Sequence, residues 1–255
     1  MLGQAHSIMY HDVAPDCQTK PGVIYTLAQT EFRRHLDTLK SLPFISVALC
    51  TADWGNKAPV LITFDDGGAG SPWIGEELER CGWRGHFFVV TDLIGAPGFM
   101  GRSEIRTLAE RGHVIGSHSC SHPLRISALS DAALEHEWGD SVRILADVIG
   151  QPISTASVPG GFYSRRVGEA AMKAGITQLF TSTPTSAVKR LGPGTVFGRY
   201  TADRRTKMSD LVSFAGSRHS GPRRRQQLFW NIKSIAKSVS GERYERLRRV
   251  LLRLP

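Results

Sequence analysis

The sequence predicts an α/β fold in which helices surround a parallel sheet. Short apolar runs with the content of buried strands alternate along the chain with amphipathic segments of about ten to twenty residues. This alternation is typical of parallel sheets, because parallel strands need long crossover connections that are usually helical. Polar residues also collect where the predicted strands end, and α/β barrels place their sites at that edge.

The apolar runs and helical stripes give the predicted elements in order. Strands are expected at residues 7–13, 44–49, 60–64, 85–90, 113–117, 178–182 and 196–201, with a further strand ending at 159–161. Helices are expected at residues 30–42, 74–81, 103–111, 130–149 and 164–174. Thr30 has a side chain preferred at helix N-caps, and an apolar stripe starts at Phe32, so the first helix is predicted to begin at Thr30.

The composition is ordinary for a soluble protein with one large domain, or one domain and an appendage. The 255 residues are 41 % hydrophobic, and no apolar stretch approaches the roughly 20 residues of a membrane-spanning helix. Four cysteines without close-paired spacing favour reduced thiols over a disulfide framework. The N-terminus lacks the basic and apolar regions of a signal peptide, so we expect a cytoplasmic protein.

Positive charge is concentrated towards the C-terminus. The formal net charge is +9, and from Lys189 onward there are 17 lysines and arginines against 4 acidic residues. Residues 223–255 place apolar side chains at helical spacing among the basic ones. Such a segment either lies on an anionic membrane surface or packs on the domain with a solvated basic face, and no motif favours nucleic acid. We therefore predict a domain at 1–205 and a basic amphipathic helical extension at 206–255.

The apolar run Val60–Phe64 ends in two carboxylates, Asp65 and Asp66, which are followed by glycines. Carboxylates at the exit of a buried strand are costly unless a partner compensates their charge, and a metal ion does so well. Neighbouring side chains of a strand point to opposite faces, but a strand end that turns into glycines allows both to reach one cavity.

Two histidines, His118 and His122, follow the strand predicted at 113–117. Spaced in this way on a turn or short helix, their imidazoles can reach one metal ion. With Asp66 they make three protein ligands and leave a position open for water, which is typical of catalytic rather than structural sites. The ligand set favours Zn²⁺, although cobalt, nickel and iron also suit it.

Residues Thr63 to Gly67, together with His118 to Pro123, resemble the first two motifs of the NodB-like polysaccharide deacetylases. These metal-dependent enzymes remove N- or O-acetyl groups from amino sugars in polymers. The resemblance implies a distorted (β/α) barrel of the NodB-homology type across roughly residues 6–200, in agreement with the strand and helix pattern. It also implies that Asp65 is the general base and that Asp66, His118 and His122 hold the metal ion.

A deacetylase also needs an acid that protonates the leaving amine. Many members use a histidine near the end of the catalytic domain, and His219 is a poor match to that pattern. A circularly permuted subset instead carries a Tyr-His pair on its N-terminal strand, which Tyr10-His11 resembles. We expect His11 to be the general acid, the alternative being a structural, hydrogen-bonding histidine.

The third motif of the family is altered in this chain. The family usually has Arg-x-Pro-x-Gly, in which the arginine pairs with the base, and here Ser157 stands in the arginine's position. Arg165, Arg166 and Arg199 are candidates to replace it. The Pro159-Gly160-Gly161 turn is expected to offer a backbone N–H to the oxyanion. An Asp and a Trp that support the site in the family are not recognisable around residues 175–184.

We therefore expect a zinc-dependent deacetylase that acts on N-acetylated sugars of a polysaccharide or a lipid-linked saccharide. Without a secretion signal, the expected location is the cytoplasm, with residues 223–255 bringing the enzyme to the inner membrane face. Two alternatives stay open: a hydrolase of the same fold that cleaves another amide or C–N bond, and a non-catalytic domain that binds saccharide or serves as a membrane scaffold.

Overall fold

A parallel sheet, curled into a half-barrel and covered by helices, is the centre of the fold. The computed structural model describes residues 3–19, 23–43, 47–54, 58–216 and 220–239. Its strands are β1 His6–Tyr10, β2 Asp12–Ala14, β3 Thr26–Ala28, β4 Val60–Phe64, β5 His86–Val89, β6 Val114–Ser117, β7 Thr155–Ser157, β8 Gln178–Phe180, β9 Lys189–Leu191, β10 Gly194–Phe197 and β11 Tyr200–Thr201. Its helices are α1 Gln29–Lys40, α2 Ser71–Arg80, α3 Arg102–Glu110, α4 Asp131–Ile149, α5 Arg165–Lys173, α6 Met208–Phe214 and α7 Gly221–Val239. The predicted α/β class and barrel type are confirmed.

The order of the strands shows why the sheet curls. It runs β11-β1-β4-β5-β6-β7-β8-β10-β9, with parallel pairing except between β9 and β10. Only Gly198 and Arg199 separate β10 from β11, although these strands lie near opposite ends of the order. The sheet must therefore bend back on itself so that one short connection can join its two sides.

The register brings the carboxyl ends of several strands to one edge. Tyr10 of β1 pairs with Phe64 of β4, and Val89 of β5 pairs with Ser117 of β6. Ser117 also pairs with Ala156 of β7. The residues that follow these strands therefore come together at this edge, and they include the predicted site residues.

Two groups of buried side chains stabilise the fold. The larger group fills the space between the sheet and its helices and includes Phe32 of α1 and Trp138 of α4. A smaller group joins Leu61, Phe88 and Phe180, which come from β4, β5 and β8, and it also contains Phe197 of β10. Strands so far apart in the order contribute to one cluster because the curled sheet brings their inner faces together. Burial of each such side chain contributes about 1.5–3 kcal/mol.

The helix predictions are largely confirmed, and one predicted cap is wrong. Ser130 and Ser164 accept hydrogen bonds at the starts of α4 and α5. Thr30, however, lies inside α1, whose N-cap position is Ala28. The Thr30 hydroxyl and backbone N–H both donate to the Asp16 carboxylate, at 2.6 and 3.1 Å, so Thr30 fixes a preceding loop to the helix.

Two predicted strands are interrupted at residues that matter for the site. The strand expected at 7–13 divides into β1 and β2, with His11 between them. The strand expected at 196–201 divides at Gly198 and Arg199. The strand expected at 44–49 lies partly outside the described residues, and its described part contributes one bridge between Val47 and Val60.

The C-terminal helices pack against the first and last strands of the domain. Phe214 of α6 stacks on Tyr200 of β11 with ring centroids 5.2 Å apart, and α6 also contacts α1. Residues 221–239 form α7 within the segment predicted to be a helical extension, while residues 240–255 and His219 lie outside the described residues. The boundary after residue 205 stays a prediction. Within the described part of the chain, no helix is long and apolar enough to span a bilayer.

We predict that Gly198→Ala destabilises the protein by about 1–3 kcal/mol, the usual cost of overpacking. A Cβ at this position would lie 2.4 Å from Thr185 Cγ2 and 2.5 Å from the Thr183 carbonyl oxygen. Urea denaturation measures the effect. Gly139→Ala is the control, because that helical position has no atom within 4 Å of an added Cβ and alanine favours helices. Equal stability of the two variants would show that Gly198 does not constrain the connection.

Candidate active site

Both carboxylates after β4 reach the same cavity because Asp66 adopts a left-handed backbone conformation. Its φ is 75°, a value that aspartate tolerates better than most residues. This turn reverses the alternation of side chains along the strand, and Gly67 continues it with φ 80°. Asp65 is buried, whereas Asp66 is partly exposed. The turn expected from the glycines therefore begins at the aspartate itself.

His118 follows β6 and is oriented by a hydrogen bond from its other ring nitrogen. Its Nδ1 lies 2.9 Å from the Ser157 carbonyl oxygen, to which it donates. Nε2 faces Asp66, 3.4 Å from Asp66 Oδ1, and carries the lone pair whenever the imidazole is neutral. A carbonyl that fixes the tautomer in this way is the usual support of a metal-binding histidine.

The segment between the two histidines is a tight turn rather than a helix. Ser119 and His122 have positive φ values of 63° and 54°, and Ser119 Oγ accepts a hydrogen bond from the His122 N–H. Glu137 of α4 accepts hydrogen bonds from the backbone N–H groups of Cys120 and Ser121, at 2.9 and 3.0 Å. Such backbone conformations persist only when the surroundings hold them, and Glu137 supplies that support.

Asp66, His118 and His122 form a donor set with the dimensions of a metal site. Their ligand atoms all lie within 4.8 Å of one another, and His122 Nε2 is 3.7 Å from Asp66 Oδ1. Tetrahedral zinc with bonds near 2.0–2.1 Å separates its ligands by about 3.3–3.4 Å, so these residues fit a zinc-sized ion. Burial lowers the pKa of His122 to about 4, which keeps the imidazole neutral, the form that ligates metals.

Asp65 makes a buried, bidentate ion pair with Arg199. The two guanidinium nitrogens donate to Oδ1 and Oδ2 at 2.7 and 2.8 Å. The same guanidinium donates to Ser157 Oγ at 2.7 Å, and Ser157 Oγ donates to Asp65 at 3.2 Å. Arg199 is completely buried and lies over the rings of Phe88 and Phe180, which are in the cluster inside the sheet.

The ion pair sets the charge of Asp65. Burial acts most strongly on this carboxyl and alone would raise its pKa, but the Arg199 guanidinium and His118 together outweigh burial and hold the pKa below its usual range. Asp65 is therefore an ionised carboxylate 3.8 Å from His118 Nε2, close to the three predicted ligands and paired elsewhere.

His11 lies at the interruption between β1 and β2, on the rim of the same site. Its ring packs against that of Tyr25, with centroids 4.5 Å apart and a tilt of 36°, and its buried Nδ1 has no hydrogen-bond partner among the described residues. Burial has the largest effect on the pKa of Asp66 and raises it. His118 and then His11 lower this pKa, and with the other groups they bring it below its usual value. His11 is therefore near the carboxylates, and its role as general acid stays a prediction.

The Pro159–Gly161 turn packs beside the histidine turn. Gly160 has a positive φ of 61°, and a Cβ there would lie 3.6 Å from the carbonyl oxygen of Leu124, two residues after His122. Pro159 is buried, whereas Gly160 and Gly161 are partly exposed. The turn is thus adjacent to the site, and its predicted contact with an oxyanion is untested.

With this geometry established, comparison with known proteins identifies the family. The sequence profile of the family described as "Polysaccharide deacetylase" matches residues 53–179, which contain both carboxylates and both histidines. The chain belongs to this family. Membership implies a hydrolase, and enzymes of the family generally use a divalent metal ion.

Individual relatives agree with this assignment. YxkH of Bacillus subtilis, a protein named for the polysaccharide deacetylases, is 24% identical over 193 residues, which are 72% of this chain and 67% of YxkH. A polysaccharide deacetylase from Bacillus cereus superimposes with a TM-score of 0.72 and 18% identity, covering 83% of this chain and 69% of its own. IcaB from Ammonifex degensii gives a TM-score of 0.71 and 18% identity, with coverage of 84% and 98%. At these identities the structural matches show the fold alone.

The departure from the family's third motif is resolved by Arg199. Ser157 stands where the motif has arginine, and the guanidinium that pairs with Asp65 comes instead from the connection between β10 and β11. The other two candidates lie on the exterior, where Arg165 pairs with Glu169 and Arg166 pairs with Asp131. Of the three arginines considered from the sequence, only Arg199 reaches the site.

Sequence reasoning missed Glu137 entirely. The signal that could have found it is the position of Glu137 next to Trp138, on the side of α4 that faces the core. A carboxylate in such a position needs buried hydrogen-bond partners. Two other polar residues near the site have structural contacts instead. Cys120 turns away from the metal ligands towards the carbonyl oxygen of His136 in α4. His113 is a packed histidine that accepts from the Gly85 N–H at 3.1 Å and contacts Glu79 at 2.9 Å.

We predict that Arg199→Met lowers the free energy of unfolding by about 3–5 kcal/mol at pH 7, because it leaves Asp65 buried without its partner. In the wild type the pKa of folded Asp65 is lowered, so its stabilising contribution is present near neutral pH and is lost as the pH falls. In the variant the pKa rises. The difference in the free energy of unfolding between wild type and Arg199→Met should therefore decrease as the pH falls from about 7 to 4.

The measurement is urea denaturation of chelator-treated protein across this pH range. Arg165→Met is the control, since its pair with Glu169 is exposed to solvent and its loss is expected to change stability little. A constant difference between Arg199→Met and wild type at every pH would mean that the guanidinium does not set the charge of Asp65.

Proposed function

We propose that this protein is a metal-dependent deacetylase of N-acetylated saccharides, with zinc as the favoured ion. One observation carries the proposal: a three-residue donor set, Asp66, His118 and His122, lies beside a second carboxylate, Asp65, which is ionised and bound to a different partner. A carboxylate base held next to an open donor set is what amide hydrolysis needs.

In this proposal Asp65 takes the proton from the attacking water. Arg199 keeps it ionised and fixes its orientation through two hydrogen bonds, so the base is in place before substrate binds. When bound, the metal ion supplies Lewis acidity and lowers the pKa of a coordinated water. The two neighbouring aspartates have different proposed roles because only the Asp66 carboxylate points to the two histidines of the donor set.

His11 is proposed to hold the proton that the leaving amine requires. Its ring is fixed against Tyr25, and its Nδ1 has no structural hydrogen bond within the described part of the chain. An imidazole can accept a proton at one ring nitrogen and later donate it, which suits an acid in the second half of the reaction. The backbone of Pro159–Gly161 is proposed to stabilise the oxyanion, because the turn lies next to the histidine turn and carries two glycines.

The first experiment measures acetate release from N-acetylglucosamine oligomers by zinc-loaded protein beside Asp65→Asn. We expect release by the wild type and a loss of at least about 100-fold in the variant, as is typical for removal of a general base. Zinc bound per chain, measured by elemental analysis, should be unchanged in Asp65→Asn and reduced in His118→Ala. No release by either protein, with zinc bound in both, would overturn the saccharide assignment and favour the alternative amide hydrolase.

A second experiment addresses the acid. His11→Gln should lower kcat about 100-fold or more, within the usual contribution of general acid–base catalysis, with little change in KM. Phenyl acetate is the control substrate, because its leaving phenolate departs without protonation and its hydrolysis should depend much less on His11. Equal losses on both substrates would mean that His11 has a structural role instead.

A further inference from the structure

A cavity of about 570 Å³ lies beside the active site, between the barrel and α7. The described residues that line it include Tyr25, Ser182, Thr201, Gln226, Phe229 and Trp230. Its volume is in the range of small-ligand sites, about 300–1,000 Å³. It contains none of the predicted metal ligands, so it is distinct from the site where the acetyl group would be cleaved.

The cavity opens at the same edge of the sheet as the catalytic residues. Ser182 follows β8, and Thr201 is the last residue of β11. The carboxyl ends of both strands lie at that edge. Tyr25 forms part of the cavity wall, and its ring also packs against His11 with centroids 4.5 Å apart. One aromatic side chain therefore joins the cavity to the predicted general acid.

The first turns of α7 are fixed as a wall of this cavity. Gln226 Oε1 accepts from the Thr201 N–H at 3.0 Å, and Gln226 Nε2 donates to the Thr201 carbonyl oxygen at 2.9 Å. The side chain thus continues the hydrogen bonding of the edge strand β11. Arg225 adds an ion pair with Asp210 of α6 at 2.8 Å. These contacts orient the next residues of the helix, Phe229 and Trp230.

The rings and polar groups of the cavity suit a polyhydroxylated ligand. Asp203 pairs with Arg205 at 2.7 Å and Asp210 pairs with Arg225, and Lys207 adds a further positive charge to the lining. Aromatic rings and polar groups are thus combined on one surface. Sugars present apolar ring faces and polar edges, and this combination matches both. Leu228 and Ile232 of the same helix are exposed without lining the cavity, whereas Phe229, which is exposed to a similar extent, does line it.

We propose that this cavity binds sugar units adjacent to the one that loses its acetyl group, with Phe229 and Trp230 as stacking surfaces. The proposal rests on the proposed deacetylase function and deepens it, since it assigns the enzyme to oligomeric or polymeric saccharide rather than to a single sugar. It also makes the helical extension part of the substrate site.

The test compares Phe229→Ala and Trp230→Ala with Leu228→Ala. Leu228 is the matched control, since it lies on the same helix, is 61 % exposed against 59 % for Phe229, and does not line the cavity. The substrates are the monomer and the β-1,4- and β-1,6-linked tetramers of N-acetylglucosamine. We expect the ratio of kcat/KM for tetramer to that for monomer to fall about five- to tenfold in the aromatic variants and to stay unchanged in Leu228→Ala.

Calorimetric binding of the tetramers to metal-free protein is a second measurement that does not depend on turnover. Weaker tetramer binding in the aromatic variants would support sugar binding in the cavity. If no acetate is released in that case, only the proposed function fails. Acetate release with the same tetramer-to-monomer ratio of kcat/KM in all variants would overturn sugar binding in the cavity and leave the proposed function intact. Unchanged tetramer binding, together with lost binding to phosphatidylglycerol vesicles, would overturn the proposal in favour of a membrane contact.

Discussion

The buried ion pair between Asp65 and Arg199 is the interaction on which the site depends. Both groups are almost completely removed from water, which is costly for each charge alone. The cost is offset because the guanidinium meets both carboxylate oxygens and also donates to Ser157 and Thr63. The pair is thus a positioning device rather than a source of stability: each partner is tolerable in the interior only while the other is present.

This interaction couples the architecture of the barrel to its chemistry. Arg199 lies in the two-residue connection that joins β10 to β11 and so brings the two sides of the sheet together. The close approach of Gly198 to Thr183 and Thr185 fixes the course of this connection. Any change that opens the curl would also withdraw the guanidinium from Asp65. Asp65, the proposed base, is therefore buried and oriented while still ionised only when the barrel has formed.

The sequence predicted the parts of the site that depend on local pattern. Asp65 and Asp66 are adjacent at a strand end, and His118 and His122 share one short turn, so their types and spacing carry the information. Arg199 is 134 residues from Asp65 along the chain, and their contact depends on how far the sheet curls. Periodicity gives strands and helices but does not give that curvature, which is why three arginines stayed possible. Glu137 was missed for the same reason, since its partners lie 16 and 17 residues earlier, in a turn.

Two arginines of the basic C-terminal region are engaged within the described structure. Arg225 of α7 pairs with Asp210 of α6 and so joins the two helices, while Arg205 pairs with Asp203, two residues before it. Gln226, a neutral residue, makes the two hydrogen bonds that continue β11. These contacts hold the first turns of α7 against the domain. Phe229 and Trp230 of that helix line a cavity to which Tyr25, the neighbour of His11, also contributes, and this placement is the basis for the proposed role of α7 in substrate binding.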